Sequence, residues 1–170
     1  MRFRRCVSSL CLLAACSVLA IGCTSAPADN SAVPEAQQWL KDWTNAFQTK
    51  NSDAMSALYA QDVVAYDIIA PLQYVGKDAY MKDWKEFFAE FNGPLKTDMK
   101  DCHFQTSGNL AALECLTLLS GTTTKGEAVN TWLRVTSILR KDNGKWLDIH
   151  DHASYPEDPV TGKALEDLKP

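Results

Sequence analysis

The chain has 170 residues, 46% of them hydrophobic and 22% charged, with a formal net charge of −4 at pH 7. That length leaves room for one domain with a real core and too little for two ordinary ones. Its acidic balance, with no Lys/Arg cluster beside aromatics, excludes nucleic acid as an expected partner.

In chain order, Arg2, Arg4 and Arg5 precede an apolar stretch from Leu10 to Ile21 that ends at Gly22-Cys23. This is the pattern of a signal peptide. The stretch is shorter than the ~20 residues of a spanning helix, and the Ser, Pro, Ala and Asp that follow give no stop-transfer signal. Leu19-Ala20-Ile21-Gly22-Cys23 resembles a lipobox, which implies acylation of Cys23; ordinary cleavage near Ala26 or Ala28 is the alternative. The expected organisation is therefore a leader over 1–22, a lipidated tether over 23–33, a domain over 34–156 and a loose tail over 157–170. Three of the 17 basic residues lie in the leader, so the remainder carries 14 basic against 21 acidic residues, a net −7. The expected location is outside the cytoplasm, anchored by lipid on the periplasmic side of a bacterial membrane. Thr24-Ser25 lacks an Asp retention signal and favours the outer membrane.

From Pro34 to Thr49, Ala36, Trp39, Leu40, Trp43, Ala46 and Phe47 recur at three- and four-residue spacing, which predicts an amphipathic helix. Ser52 can cap a shorter second helix presenting Met55, Leu58 and Tyr59, and Val63 to Tyr66 reads as a short strand. A loop with Pro71 leads to a third helix opened by Gly76-Lys77-Asp78, whose Tyr80, Trp84, Phe87, Phe88 and Phe91 form an aromatic stripe. From Lys96 the period becomes that of strands, over 96–106, 110–120, 128–140 and 145–152, a meander of four. Helices first and strands last predict an α+β fold with three helices packed on a strongly curved, mostly antiparallel sheet that encloses a pocket.

Cys102 and Cys115 remain after the leader and Cys23 are set aside. A two-residue Gly108-Asn109 loop pairs Ser107 with Leu110 and, counting outward, His103 with Glu114 and Cys102 with Cys115, so a disulfide is feasible. Two buried free thiols are the alternative, because another loop register would separate them.

The run Ser52-Asp53-Ala54-Met55-Ser56-Ala57-Leu58-Tyr59-Ala60-Gln61-Asp62-Val63-Val64, then Tyr66-Asp67 and Tyr74-Val75-Gly76, resembles the start of SnoaL-like and ketosteroid-isomerase-like domains of the nuclear transport factor 2-like superfamily. Trp132 to Thr136, followed by Gly144-Lys145-Trp146-Leu147-Asp148-Ile149-His150-Asp151-His152-Ala153-Ser154, is similar to SnoaL-like domains and to the association domain of calcium/calmodulin-dependent protein kinase II. The resemblance implies a cone-shaped fold with a pocket, and self-association, as a homodimer or larger, through the outer sheet face. Isomerases, cyclases, dehydratases, assembly modules and plain binders share this fold, so it implies little about function.

It does place a general-base aspartate at Asp67. The oxyanion partners of such isomerases would fall on Trp43 and Thr136, which cannot replace a tyrosine and a protonated acid; two missing donors at ~3 kcal/mol each would remove most of the rate. For Arg134, a three-residue loop in the last hairpin pairs Thr136 with His150 and Arg134 with His152, building a polar cluster; a two-residue Asn143-Gly144 turn dissolves it. The first is preferred because resembling domains place this arginine and these histidines around their pocket. An internal Arg134–Asp67 salt bridge is the competing reading. Asp148, His150 and His152 alternate along one strand, but no third fixed ligand of metal spacing accompanies them, and neither metal nor cofactor is expected.

The leading expectation is a binding domain for a small, partly apolar ligand whose carboxylate sits near Arg134. Trp43, Tyr66, Trp84, Trp132, Thr136, His150 and His152 complete the expected ligand-binding set. The alternatives are an isomerase, dehydratase or cyclase using Asp67 or His150 as base, and an oligomeric assembly module.

Overall fold

The computed structural model describes residues 30–170. The leader and Cys23 lie outside the described residues. A single 3-10 turn, Asn30–Ala32, leads into α1, Val33–Gln48, with Pro34 in the first turn, where its missing N–H costs nothing. The helix buries Ala36, Trp39, Ala46 and Phe47. The second helix, α2, Ser52–Ser56, is capped by Asn51, whose side chain accepts from the Ala54 N–H at 3.0 Å, one residue earlier than the serine expected. After β1, Tyr59–Tyr66, comes a two-residue strand β2, Tyr74–Val75, that the sequence did not announce. The third helix, α3, Lys77–Ala89, follows.

The meander is present as β3, Phe91–Ser107; β4, Leu110–Thr123; β5, Ala128–Asp142; and β6, Lys145–Ser154. The six strands run in the order β2-β1-β6-β5-β4-β3, antiparallel except where β1 lies parallel to β6. The helices lie on the inner face of this curved, unclosed sheet. Gly121 marks a close approach there, since a Cβ on it would stand 2.8 Å from Leu95 and 2.9 Å from Phe91.

Two apolar clusters fill the concave side. One joins Phe47, Met55, Tyr59, Phe88, Phe91 and Leu119, and the other joins Trp39, Leu113, Cys115, Leu139 and Trp146. Between them the inner face is left partly open.

Register decides which side chains reach that opening. In the β3–β4 hairpin the pairing of Ser107 with Leu110 and His103 with Glu114 is as expected, and Cys102 and Cys115 are joined as a disulfide. A bulge beside them places Asp101 at φ 50. In the β5–β6 hairpin the expected three-residue loop is replaced by a tight turn with Asn143 at φ 51 and Gly144 at φ 82, which pairs Asp142 with Lys145. A bulge at Ile149 then moves the register once more, so Ile138 meets His150, Thr136 meets His152 and Arg134 meets Ser154.

The C-terminal residues, expected to be loose, fold back instead. Glu157 bridges to Ala164, and the Thr131 hydroxyl donates to the Glu166 carbonyl at 2.6 Å.

Candidate functional site

The opening between the two clusters is a cavity of about 360 Å³, within the range of small-molecule sites. Its walls come from four elements. The last turns of α1 supply Trp43 and Phe47; α3 supplies Tyr80, Asp83, Trp84, Glu86 and Phe87; the segment after β1 supplies Asp67, Ile68 and Ile69; and the sheet supplies Leu119, Val129, Leu133, Val135, Asp151 and Ala153. Aromatic rings dominate one side. Phe47 stacks on Trp43 at 5.1 Å, and Trp84 meets Trp43 edge-on at 5.9 Å.

Asp67 stands at the end of β1 and faces the cavity, the position expected from the sequence. Its Oδ1 accepts the Ile68 N–H at 2.6 Å. Burial pushes its pKa up to about 6; the Ile68 N–H opposes that shift, and the nearby carboxylates of Asp151 and Asp83 add to it. Among the described residues no lysine or arginine lines the cavity, and none of them pulls the value down.

Asp151 is the group that sequence reasoning missed. It is 6% exposed, and its Oδ2 accepts the hydroxyls of Tyr59 and Tyr80, each at 3.1 Å. The Ser137 hydroxyl reaches Oδ1 at 3.3 Å, and the Trp43 indole N–H donates to the Tyr59 oxygen at 3.0 Å. Behind it Asp148 is fully buried; one oxygen accepts the His150 N–H at 2.8 Å and the other has no hydrogen-bond partner. Burial, reinforced by Asp151, drives the Asp148 pKa well above the carboxylate range. Burial also raises Asp151, against which the two tyrosine hydroxyls and Ser137 act.

The Ile149 bulge creates this arrangement. In a regular strand Asp148 and Asp151, three residues apart, would face opposite sides. With the bulge both point inward, and His150 and His152 are turned to the outer face. The expectation of Asp148, His150 and His152 on one face is therefore corrected, as is the pocket placement of Tyr66, Trp132, Arg134, Thr136, His150 and His152. All six sit on the convex side. The Tyr66 ring packs edge-on against His150 at 4.9 Å and His152 at 5.7 Å, and the His150 Nδ1 lies 2.8 Å from the Val64 carbonyl. Lys100 lies over the Trp132 ring at 5.3 Å, and Thr136 is exposed between Glu114 and His152.

Arg134 neither reaches the cavity nor pairs with Asp67. Its Nη2 donates to the Tyr155 carbonyl at 2.6 Å, so it fastens the chain where β6 ends. Of the expected set, Asp67, Trp43 and Trp84 do meet at the cavity. Among the described residues there is no group of three side chains fit to hold a metal ion.

A family model described as a SnoaL-like domain matches residues 36–158. A nuclear transport factor 2-like protein of unknown function from Pseudomonas putida KT2440 is 32% identical and superposes with a TM-score of 0.77, covering 85% of this chain and 100% of its own. A ketosteroid isomerase-like protein from Erwinia carotovora atroseptica is 22% identical, with a TM-score of 0.64 over 74% of this chain and 97% of its own. A structure named for the calcium/calmodulin dependent protein kinase II association domain, from Xanthomonas campestris, is 19% identical, with a TM-score of 0.65 over 79% of this chain and 88% of its own. The last two share the fold alone. No curated protein matches.

Proposed function

The chain belongs to the SnoaL-like domain family, and from that premise we propose that its cavity binds a small, largely apolar molecule that is not an anion, and that Asp67 exchanges a proton with it. The observation that carries this reading is Asp67 itself, a carboxylate on the wall of an aromatic cavity with its pKa raised to about 6 and no cation beside it. A carboxylate so placed takes a proton from a bound donor near neutral pH and can return it. The charged groups on the walls are all acidic, namely Asp67, Asp83, Glu86, Glu90 and Asp151, so a ligand carboxylate would be repelled. The expected carboxylate near Arg134 is replaced by this non-anionic class.

Binding comes before catalysis in this reading. The Tyr59 and Tyr80 hydroxyls are already given to Asp151, which leaves the unpartnered Trp84 indole N–H, a weaker donor than a tyrosine hydroxyl, as a free donor on the walls for an enolate. Isomerase or dehydratase chemistry on Asp67 is the second reading, favoured by the same raised pKa.

The test is a titration of the domain with 1-N-phenylnaphthylamine, an apolar fluorescent probe with one weak N–H donor, at pH 5 to 8. Phe87→Ala should weaken binding roughly tenfold through lost burial. Wild-type affinity should rise through pH 6 as Asp67 ionises and accepts the probe's N–H, whereas Asp67→Asn should give a flat profile. Equal affinity for a matched carboxylate such as 1-naphthoate, or a pH profile unchanged in Asp67→Asn, would overturn the proposal.

A further inference from the structure

Seven large hydrophobic side chains are strongly exposed among the described residues, and four of them fall within ten positions: Tyr66 at 41%, Ile69 at 55%, Leu72 at 96% and Val75 at 62%. Tyr66 and Val75 flank the segment on β1 and β2, while Ile69 and Leu72 form its tip. Ile69 also lines the cavity, so the tip stands at the cavity mouth. The loop is braced rather than free to fold inward: the Tyr74 hydroxyl lies 2.7 Å from Asp83 Oδ1 on α3 and 3.1 Å from the Ala70 carbonyl.

We propose that the 67–73 loop is a docking tip that seats the cavity mouth on a lipid bilayer bearing zwitterionic headgroups. A leucine that stands almost wholly clear of its own fold has little surface around it for a flat protein partner to cover. The boundary between headgroups and acyl chains, by contrast, takes up such a side chain whole. The rim fixes the lipid class. Asp83, Glu86 and Glu90 are among the lining groups, with no basic residue among them, and Glu86 is paired with Lys82 at 3.6 Å, so the lining offers anionic headgroups acids and no basic site, which favours neutral ones.

The acylated Cys23 expected from the sequence suits this geometry. The 16-residue α1 is about 24 Å long, with Trp43 and Phe47 near its cavity end and Val33 at the other. The ten residues from Cys23 to Val33 can reach about 33 Å when extended. An anchor there would keep the tip at high local concentration beside the membrane, so that few apolar side chains suffice. Docking would let the cavity exchange its ligand with the bilayer, a step that rests on the binding proposal above; docking itself does not.

The test uses the chain from Cys23 onward, in which Cys23 is the one free thiol once Cys102 and Cys115 are bridged. The P. putida relative, covered over its whole length, shows that such a domain folds without a further segment. Cys23 is coupled to a maleimide lipid in phosphatidylcholine vesicles, and amide hydrogen exchange is followed by mass spectrometry. Exchange across 67–73 should slow roughly fivefold or more, that across 157–163, which carries the equally exposed Val160, should not, and Leu72→Asp should abolish the slowing. Phosphatidylglycerol vesicles should give less protection. The proposal fails if the loop is not slowed, if Leu72→Asp is slowed equally, if only anionic vesicles protect it, or if protection grows with concentration of the unanchored chain, which would make a second copy the occupant. Phenylnaphthylamine binding by Leu72→Asp in solution, expected unchanged, separates failure of docking from failure of the cavity reading.

Discussion

Asp67 illustrates how one side chain couples site and stability. Its pKa is raised from 3.8 to about 6, so the folded state holds a proton that the unfolded chain releases between those values. The stability tied to that proton is fully present below about pH 4 and is lost as pH rises through about 6. At pH 7 the ionised, mostly buried carboxylate costs up to about 3 kcal/mol. Asp67→Asn keeps an acceptor for the Ile68 N–H and removes the titration. Urea unfolding should show the variant more stable than wild type by about 2–3 kcal/mol at pH 7, and close to it at pH 4. An equal gain at both pH values would deny the raised pKa. This aspartate was legible in the sequence because it ends a strand before a loop, within a segment that resembles a family. Asp151 was not, because nothing local distinguishes it from the other acid in Asp148-Ile149-His150-Asp151.

The two hairpins carry the lesson at the scale of elements. In the β3–β4 hairpin the Gly108-Asn109 turn sets the register, and the disulfide closes a loop 13 residues apart in sequence. Replacing Cys102 and Cys115 together by alanine should therefore lower stability by about 3 kcal/mol in urea unfolding. No loss under oxidising conditions would mean that the cysteines are not bridged in solution. In the β5–β6 hairpin the turn and the Ile149 bulge each displace the register by one residue. One residue is enough to exchange the two faces of a strand. The bulge does this within β6, setting Asp148 and Asp151 inward and His150 and His152 outward; the two displacements together keep Arg134, Thr136 and both histidines on one common face, and that face is the convex one.

For the whole molecule, the outward residues form a second surface. Leu116, Leu118, Trp132 and Ile138 lie half-buried on adjoining strands of the convex face, beside Tyr66 and His150. Such a band on an open sheet is suited to self-association. We propose that two copies pair through it. Light scattering at micromolar concentration should report a dimer for the wild-type domain and a monomer for Leu116→Glu, with phenylnaphthylamine binding retained; a monomeric wild type would remove the idea. This surface adjoins the 67–73 tip at Tyr66, while Leu116 and Leu72 belong to one surface each, so substitutions at those two positions separate the two interactions.

The sequence by itself determined the class of fold. Helical spacing in α1 and α3, the change to strand period near β3, the glycine turns and the SnoaL-like segments all report local geometry, and the α+β architecture follows from their order. It also pointed to Asp67, Trp43 and Trp84 at the cavity, and made the pairing of the cysteines across a two-residue loop feasible, with free thiols as the alternative. Only the tertiary structure decided which side chains the cavity receives. A bulge changes the face of every residue beyond it while leaving composition and period almost untouched, and the burial that raises the pKa values of Asp67 and Asp148 comes from elements packed far along the chain. The acidic character of the cavity walls was decided there too, since no lysine or arginine among the described residues lines it.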